Sequence, residues 1–463
     1  MSIKSGVFPN EWKKTLIHPI HKKGDKSDIA NYRGIAILNA MEKVFEKIVH
    51  QQLLYFLLPK LDIRQHGFLP GKSTLSNLLE HVTDLMKNNE DKKIYQTDVG
   101  YFDASKAFDT VVHSRLIERL KQLGIDGSLL KWFEDYLRNR SVIVAFNGAL
   151  STQFIPQSGV PQGSILGPIL FIVYVNFLST ETQLKSKALF YADDIKISHS
   201  IQHDTDMDEF QDDVNNINDW CSNNGLTLNL SKCEVVSYAG YRAPMTNSYT
   251  INEYTLVRSK QYKDLGVVFD SSHRFIYHID SIVSRGFKAL GFVMRMSKEL
   301  RNQATIIHLY NTLVRSKVEY ATVIWSPYYN QYIEKIEALQ HRFTRYLFRK
   351  FHIPYMDYKS RLKVLNMPSL VIRRKRTDLY LLYKIMNGHL RTGSIADICV
   401  RKRRNVRNMN IFNIGRSTNN VTLYSPIYRM CRTYNEVFKD QYLFNLPYRS
   451  YVTFVDNSVK DIN

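Results

Sequence analysis

Apolar and polar residues follow different rhythms in successive stretches of this chain, and each rhythm predicts a different architecture. Over residues 1–95 short strand-like runs accompany a helix predicted from about Ala40 to Leu58, where Val44, Ile48 and Leu53 recur at near-helical spacing. From Tyr95 to Ala239 strand and helix patterns alternate, which predicts a sheet backed by helices. Beyond Phe275 the period is helical: Ile306, Tyr310, Leu313 and Val318 mark one stripe, and Ile333, Ile336, Leu339, Phe343 and Leu347 another. The closing aromatic-bearing stretch, with Tyr424, Tyr428, Tyr434 and Phe438, reads as a small folded cap. The predicted fold class is α+β.

One hairpin within this pattern carries chemistry. In Leu189-Phe190-Tyr191-Ala192-Asp193-Asp194-Ile195-Lys196-Ile197, β-favouring residues flank an acidic pair, which predicts strand, turn, strand with two carboxylates where the chain reverses. Like charges this close raise one another's pKa, so divalent cations shared with further oxygens explain the pair better than an ordinary turn does. A second acidic segment, Asp98 to Val111, strengthens that reading, because apolar and aromatic residues lead into Asp103 and Phe108 follows it. In a two-metal phosphoryl transferase one carboxylate comes from one strand and the rest from a neighbouring hairpin; Asp103, Asp193 and Asp194 make such a set. Asp109, and Asp98 with it, read instead as caps of a helix beginning near Ser105. Asp212-Asp213, in a polar stretch of helical spacing, reads as a solvated helix face.

Between the acidic segments lies Ser158-Gly159-Val160-Pro161-Gln162-Gly163-Ser164-Ile165-Leu166-Gly167-Pro168-Ile169-Leu170-Phe171. Its glycines predict either a loop whose backbone can come close to a flat ligand, such as a nucleotide base and sugar, or a plain Gly/Pro connector, and its apolar run predicts a buried helix. That run is shorter than the ~20 residues a membrane span needs and is broken by Pro168.

Charge narrows the class of partner. The 463 residues carry a formal net charge of +20, from 63 Lys and Arg against 43 Asp and Glu, which implies a polyanion. Arg342, Arg345 and Arg349 share one face of a predicted helix, suited either to a duplex backbone or to solvent, and Arg401-Lys402-Arg403-Arg404 is a denser run suited to nucleic acid or an import receptor. The four cysteines lack the paired short spacing of a zinc site or a disulfide framework. With no apolar signal segment after Met1, an intracellular location, nuclear or cytoplasmic, is expected.

Further blocks occur in a consistent order. They are Lys22-Lys23-Gly24-Asp25 with Asn31-Tyr32-Arg33-Gly34-Ile35, Gln65-His66-Gly67-Phe68 with Ser73-Thr74, Asp103 to Val111, Gly159 to Phe171, and Phe190 to Asp194. Asn229 with Lys232, Tyr262 with Leu265-Gly266-Val267, and Trp325-Ser326-Pro327 follow. In these blocks the chain resembles the reverse transcriptases of jockey-like non-LTR (LINE-type) retrotransposons, up to about Leu390. The resemblance implies a right-hand polymerase: fingers over 1–95, palm over 96–240, a primer-grip region over 241–275, helical thumb and connection over 276–390, and a basic C-terminal region over 391–463.

By the same resemblance, Asp103, Asp193 and Asp194 bind two magnesium ions, and Lys22, Lys23 and Arg33 reach the incoming deoxynucleoside triphosphate. Gln162 touches the nucleotide, Phe108 blocks the ribose 2′ position, Lys232 protonates the leaving pyrophosphate, and Tyr262, Leu265 and Gly266 form the primer grip. The implied reaction copies an RNA template into DNA from the 3′-hydroxyl of a DNA primer or target. A decayed or domesticated remnant that binds nucleic acid without catalysis is the alternative. Two departures stand out: Phe177 replaces an acidic residue common in the family, and fingers sequence follows Met1 so closely that a truncated reading frame without the upstream endonuclease domain is expected.

Overall fold

The computed structural model describes residues 1–240, 242–393, 398, 400, 410–415, 417 and 419–460. The mixed α+β architecture expected from the sequence is present. Its centre is a five-stranded sheet in the order β11-β8-β3-β7-β6, built from β3 (Gln96–Asp103), β6 (Lys187–Tyr191), β7 (Asp194–Ile201), β8 (Glu234–Tyr238) and β11 (Val257–Arg258). A second sheet, in the order β2-β1-β4-β5, joins β1 (Lys14–His21) and β2 (Tyr32–Ile37) to β4 (Ser141–Phe146) and β5 (Ala149–Leu150). Two small hairpins, β9–β10 (Thr250–Ile251, Tyr254–Thr255) and β12–β13 (Gln261–Asp264, Val267–Asp270), complete the strands.

β3 is sheathed on both faces, and its period-2 alternation divides the interior in two. Val99 and Tyr101 enter the core shared with helix Thr74–Glu90, β13 and helix Ile276–Met296. Phe102 enters the other core, with the wholly apolar helix Leu166–Val175 and helix Asp204–Asn223. Asp103 therefore leaves β3 on the Tyr101 face. Beyond β13, helices dominate: Ile276–Met296, Gln303–Tyr310, Asn330–Lys350 and Leu370–Met386. Helices Pro426–Phe438 and Tyr448–Ser458 then pack on Leu370–Met386, with Tyr434 and Phe438 buried as the cap reading anticipated. Among the described residues no helix is long and apolar enough to cross a membrane.

Four details correct the sequence reading. Helix Ala40–Leu57 forms, but Val44 and Ile48 are exposed; the buried face carries Glu42, Glu46, Val49, Leu53 and Leu57. Its glutamates are buried because they have partners: Arg140 Nη2 lies 2.8 Å from Glu42, while Tyr136 Oη (2.7 Å) and the Ile165 amide (2.6 Å) donate to Glu46. Losing Arg140 would strand a buried charge at a cost of ~3–5 kcal/mol. In the 306–318 stripe Val314 is buried where Leu313 was expected, because residues Asn311–Arg315 form a π-turn that keeps Ile306, Tyr310, Val314 and Val318 on one face.

Asp213 is likewise not solvated: it is buried and accepts the amides of Lys185 (3.1 Å) and Ser186 (2.7 Å), whereas Asp212 is exposed. No helix begins near Ser105. Residues 105–109 are turns and the helix starts at His113, so neither Asp98 nor Asp109 is a cap. Asp98 is fully buried inside β3, where Gln96 (2.8 Å) and Tyr249 (2.6 Å) donate to it.

The interior also sets a pH dependence. His81 is enclosed, sharing a 3.1 Å hydrogen bond with Tyr101 Oη, and burial, aided by the charges of Lys196, His273 and Lys187, pushes it well below the ordinary histidine value. The unfolded chain gains a proton below about pH 6.5 that the folded chain refuses, so this contribution to stability is complete above that pH and lost as pH falls. Wild type should therefore be more stable than His81→Gln at pH 7, with the lead shrinking by roughly 1–2 kcal/mol by pH 5. Urea titrations at both pH values check this; a lead independent of pH would contradict a neutral histidine there.

Candidate functional site

The β6–β7 hairpin turns at Ala192 and Asp193, with Ala192 held at φ 56°. Pairing of β3 with β7 sets Asp103 directly opposite Asp194. Directly opposed residues of an antiparallel pair project from the same face, so these two carboxylates stand side by side with Asp193 next to them in the turn. Lys232, the last residue of the short turn Leu230–Lys232, places Nζ 2.6 Å from Asp103 Oδ2. The segment holding it is stitched to the end of β3 by Asn229 N to Asp103 O and Ser105 N to Thr227 O, each 2.8 Å.

Crowding shows in the electrostatics. Lost hydration first, then Asp193, Asp264 and Asp103, push the Asp194 carboxyl up to about 7, with Lys196 opposing. Asp193 is also raised, mainly by burial and then by Asp103, while Arg33 and Lys232 favour its charged form. A cluster of oxygen donors that resists ionisation without added positive charge suits a hard cation such as magnesium. The oxygens of Asp103, Asp193 and Asp194 stand further apart than 4.8 Å; among the described residues the one trio whose donor atoms all lie within 4.8 Å of one another is a different one, with no sequence signal: His199, Asp206 and Glu209. Each already has a partner in Ser186 (3.0 Å), the amides of Gln202 (2.6 Å) and His203 (2.9 Å), and Lys185 (2.9 Å) respectively.

The loop from Ser158 to Gly163 lies against the segment after Asp103. Val160 N donates to Phe108 O (2.8 Å), Gly159 N to Val111 O (2.8 Å), and Gln162 Nε2 to Asp109 Oδ1 (2.7 Å). The same loop meets the smaller sheet, where Ala36 N donates to Gln162 O at 2.7 Å. A Cβ on Gly163 would stand 2.4 Å from Ala36 O, so glycine is what permits this approach. Phe108 is half-buried, stacked on Phe171 at 4.5 Å and edge-on to Phe68 at 6.2 Å. Arg33 is exposed on β2, opposite Ile20, and Lys22 and Lys23 are exposed where the β1–β2 hairpin opens. Of these three cations, Arg33 acts on Asp193, favouring its charged form.

The β12–β13 hairpin turns at Leu265 and Gly266. Its Tyr262 stacks on Tyr101 of β3 at 4.0 Å and 16°. Lys196 of β7 and Asp264 form a buried ion pair, and Tyr320 Oη donates to Leu265 O at 2.8 Å. Lys196 shares the face of Asp194 two residues before it, so the hairpin is bolted to the carboxylate strand. Sequence gave no hint of this pair.

Arg342, Arg345 and Arg349 are exposed on helix Asn330–Lys350 and line an open cleft floored by Phe287, Met294 and Tyr346. Arg401, Lys402, Arg403 and Arg404 lie outside the described residues. Phe177 is accommodated by a cation–π contact: Arg119 sits 4.6 Å over its ring and is held by Glu181 at 2.5 and 2.7 Å. Glu181 thus neutralises that arginine.

The chain is similar to several known proteins. The family model described as reverse transcriptase (RNA-dependent DNA polymerase) matches residues 20–294. Similar curated proteins include the probable RNA-directed DNA polymerase from transposon X-element of Drosophila melanogaster, 27% identical over 353 residues, covering 74% of this chain and 38% of that protein. The RNA-directed DNA polymerase from mobile element jockey of the same species is 28% identical over 361 residues, covering 73% and 38%. The chain thus spans about two fifths of the length of these relatives. Among solved structures, apo telomerase from Candida tropicalis aligns with a TM-score of 0.41 and 13% identity, covering 80% of this chain and 63% of that one.

Proposed function

The chain belongs to the reverse transcriptase (RNA-dependent DNA polymerase) family, and from that premise we propose that it copies retrotransposon RNA into DNA by extending the 3′-hydroxyl of a DNA primer or target with deoxynucleoside triphosphates. The observation that carries this reading is the direct opposition of Asp103 and Asp194 beside Asp193. Two magnesium ions held by these three carboxylates would supply charge neutralisation between attacking and leaving oxygens. The remaining steps fall to the chain's own groups. Arg33, facing Asp193, meets the triphosphate, with Lys22 and Lys23 further out on the same hairpin. Lys232, which the Asp103 carboxylate holds at the site, gives a proton to the departing pyrophosphate.

Gln162 and Phe108 bound the nucleotide, and Tyr262, Leu265 and Gly266 seat the primer end. Arg342, Arg345 and Arg349 follow the backbone of the template-primer, and Arg401, Lys402, Arg403 and Arg404 add a further basic contact. The +20 net charge supports a nucleic-acid partner, and the acidic cluster set within so basic a chain favours an enzyme over a passive binder.

Sugar choice tests the reading. Phe108 is backed by the buried Phe171, so shortening it opens space toward the nucleotide without emptying the core. Phe108→Val should lower discrimination against ribonucleotides by ~1–3 kcal/mol, about 5- to 150-fold. Single-nucleotide extension of a DNA primer on RNA with dCTP or CTP measures it. An unchanged ratio, with both rates falling together, would make Phe108 a packing residue only.

A further inference from the structure

We propose that Gln65 and Gly67 are positioning residues that clamp the Ala192-Asp193 turn and so fix the catalytic carboxylates, an inference that rests on the polymerase reading above. Gln65 is buried at 3% exposure, and its Oε1 accepts two backbone amides, Gly67 N at 2.7 Å and Ala192 N at 2.9 Å. The Ala192 amide immediately precedes Asp193, in a residue held at φ 56°. An alanine in that left-handed region persists only where its surroundings over-determine it.

Those surroundings come chiefly from residues 64–67, joined by one helix side chain. Residue 65 bridges Phe190 in parallel fashion, His66 N donates to Phe190 O (2.9 Å) and Phe190 N to Arg64 O (3.0 Å). Asn77 Nδ2, from helix Thr74–Glu90, donates to the same Phe190 carbonyl at 3.1 Å. Gly67 completes the clamp: a Cβ there would stand 2.6 Å from Ala192 N and 3.1 Å from Gln65 Oε1. Any other residue would push the turn away. The next residue, Phe68, carries its ring to Phe108. Residues 64–68 thus touch the carboxylate turn and the nucleotide side together, and a shift in one is felt at the other. Gln65 makes none of the proposed contacts with metal or nucleotide; its effect runs through the turn.

The test compares the full chain with Gln65→Met, Gln65→Glu and Gly67→Ala. Gln65→Met keeps the volume but removes the acceptor, and loss of a buried amide's partner should speed hydrogen exchange of residues 189–195 by about tenfold. Gln65→Glu keeps the acceptor and should keep the protection. In primer extension, Gln65→Met and Gly67→Ala should lower the maximal rate by roughly 10–100-fold while primer-template affinity stays within about twofold. Unchanged exchange in Gln65→Met, or exchange that rises equally in Gln65→Glu, would overturn the clamp whether or not the chain polymerises. A wild-type chain with no extension activity but the expected exchange pattern would leave the clamp standing and count against the polymerase reading alone.

Discussion

Asp193→Asn and Asp103→Asn are each expected to lower the rate of DNA synthesis by at least ~10³-fold while leaving template-primer affinity nearly unchanged. The rate falls because each substitution removes a whole negative ligand from the site where charge on the transferring phosphoryl group must be balanced. Asp103 carries a second burden, since its carboxylate also holds the Lys232 ammonium at 2.6 Å. Asp103→Asn therefore loosens a cation as well as a ligand. Affinity is spared because it arises from basic side chains spread over the chain, not from three acids. Single-turnover extension and fluorescence anisotropy on the same variants separate the two quantities. More than a tenth of wild-type activity in both variants would be incompatible with the carboxylate assignment.

Salt should have an effect of comparable size on binding. If several Lys and Arg side chains each displace a counterion, affinity for an RNA–DNA duplex falls with a log–log slope of about −4 to −8, roughly 10²–10⁵-fold between 50 and 200 mM monovalent salt. The exposed row Arg342, Arg345 and Arg349 is assigned a share of this. Changing all three to Ala should make the slope shallower by about 2–3 and weaken low-salt binding. Removing them is expected to leave the helix intact, because its packing face is Ile336, Leu339, Phe343 and Leu347. A slope shallower than −2 in wild type, or an unchanged slope in the triple variant, would remove these three arginines from the proposed nucleic-acid surface.

Which parts of this structure were legible in advance follows from the range of the interactions. The Asp193-Asp194 turn could be read because strand alternation and turn position are local, and the opposition of Asp103 to Asp194 is the geometry a shared metal site would require. The register of helix Ala40–Leu57 could not, since its inward face carries Glu42 and Glu46, whose partners Arg140 and Tyr136 lie far along the chain. Hydrophobicity alone therefore turned the wrong side of the helix inward. Asp98 and Asp109 suited a local cap, yet β3 runs extended through Asp98 to Asp103 because neighbouring strands pair with it on both sides. Asp213 looked solvated for the same reason: the amides it satisfies belong to Lys185 and Ser186 in the lead-in to β6.

Positioning residues were the least visible. Gln65 bonds an amide 127 residues away, and Lys196 meets Asp264 across 68 residues. Neither has a spacing that sequence could reveal. The proposed ligand set was visible because metal chemistry restricts residue types, whereas the parts that would hold it steady need only fit, and many residue types fit.

The central claim, RNA-templated DNA synthesis at the Asp103, Asp193 and Asp194 carboxylates, is tested most directly by giving the purified chain a 5′-labelled DNA primer annealed to RNA, with magnesium and four deoxynucleoside triphosphates. The expected result is a ladder of extended DNA whose sequence complements the template, absent when magnesium is chelated. A primer that binds tightly yet stays unextended across a range of magnesium concentrations would contradict the account and leave a nucleic-acid binder that retains the fold without the reaction.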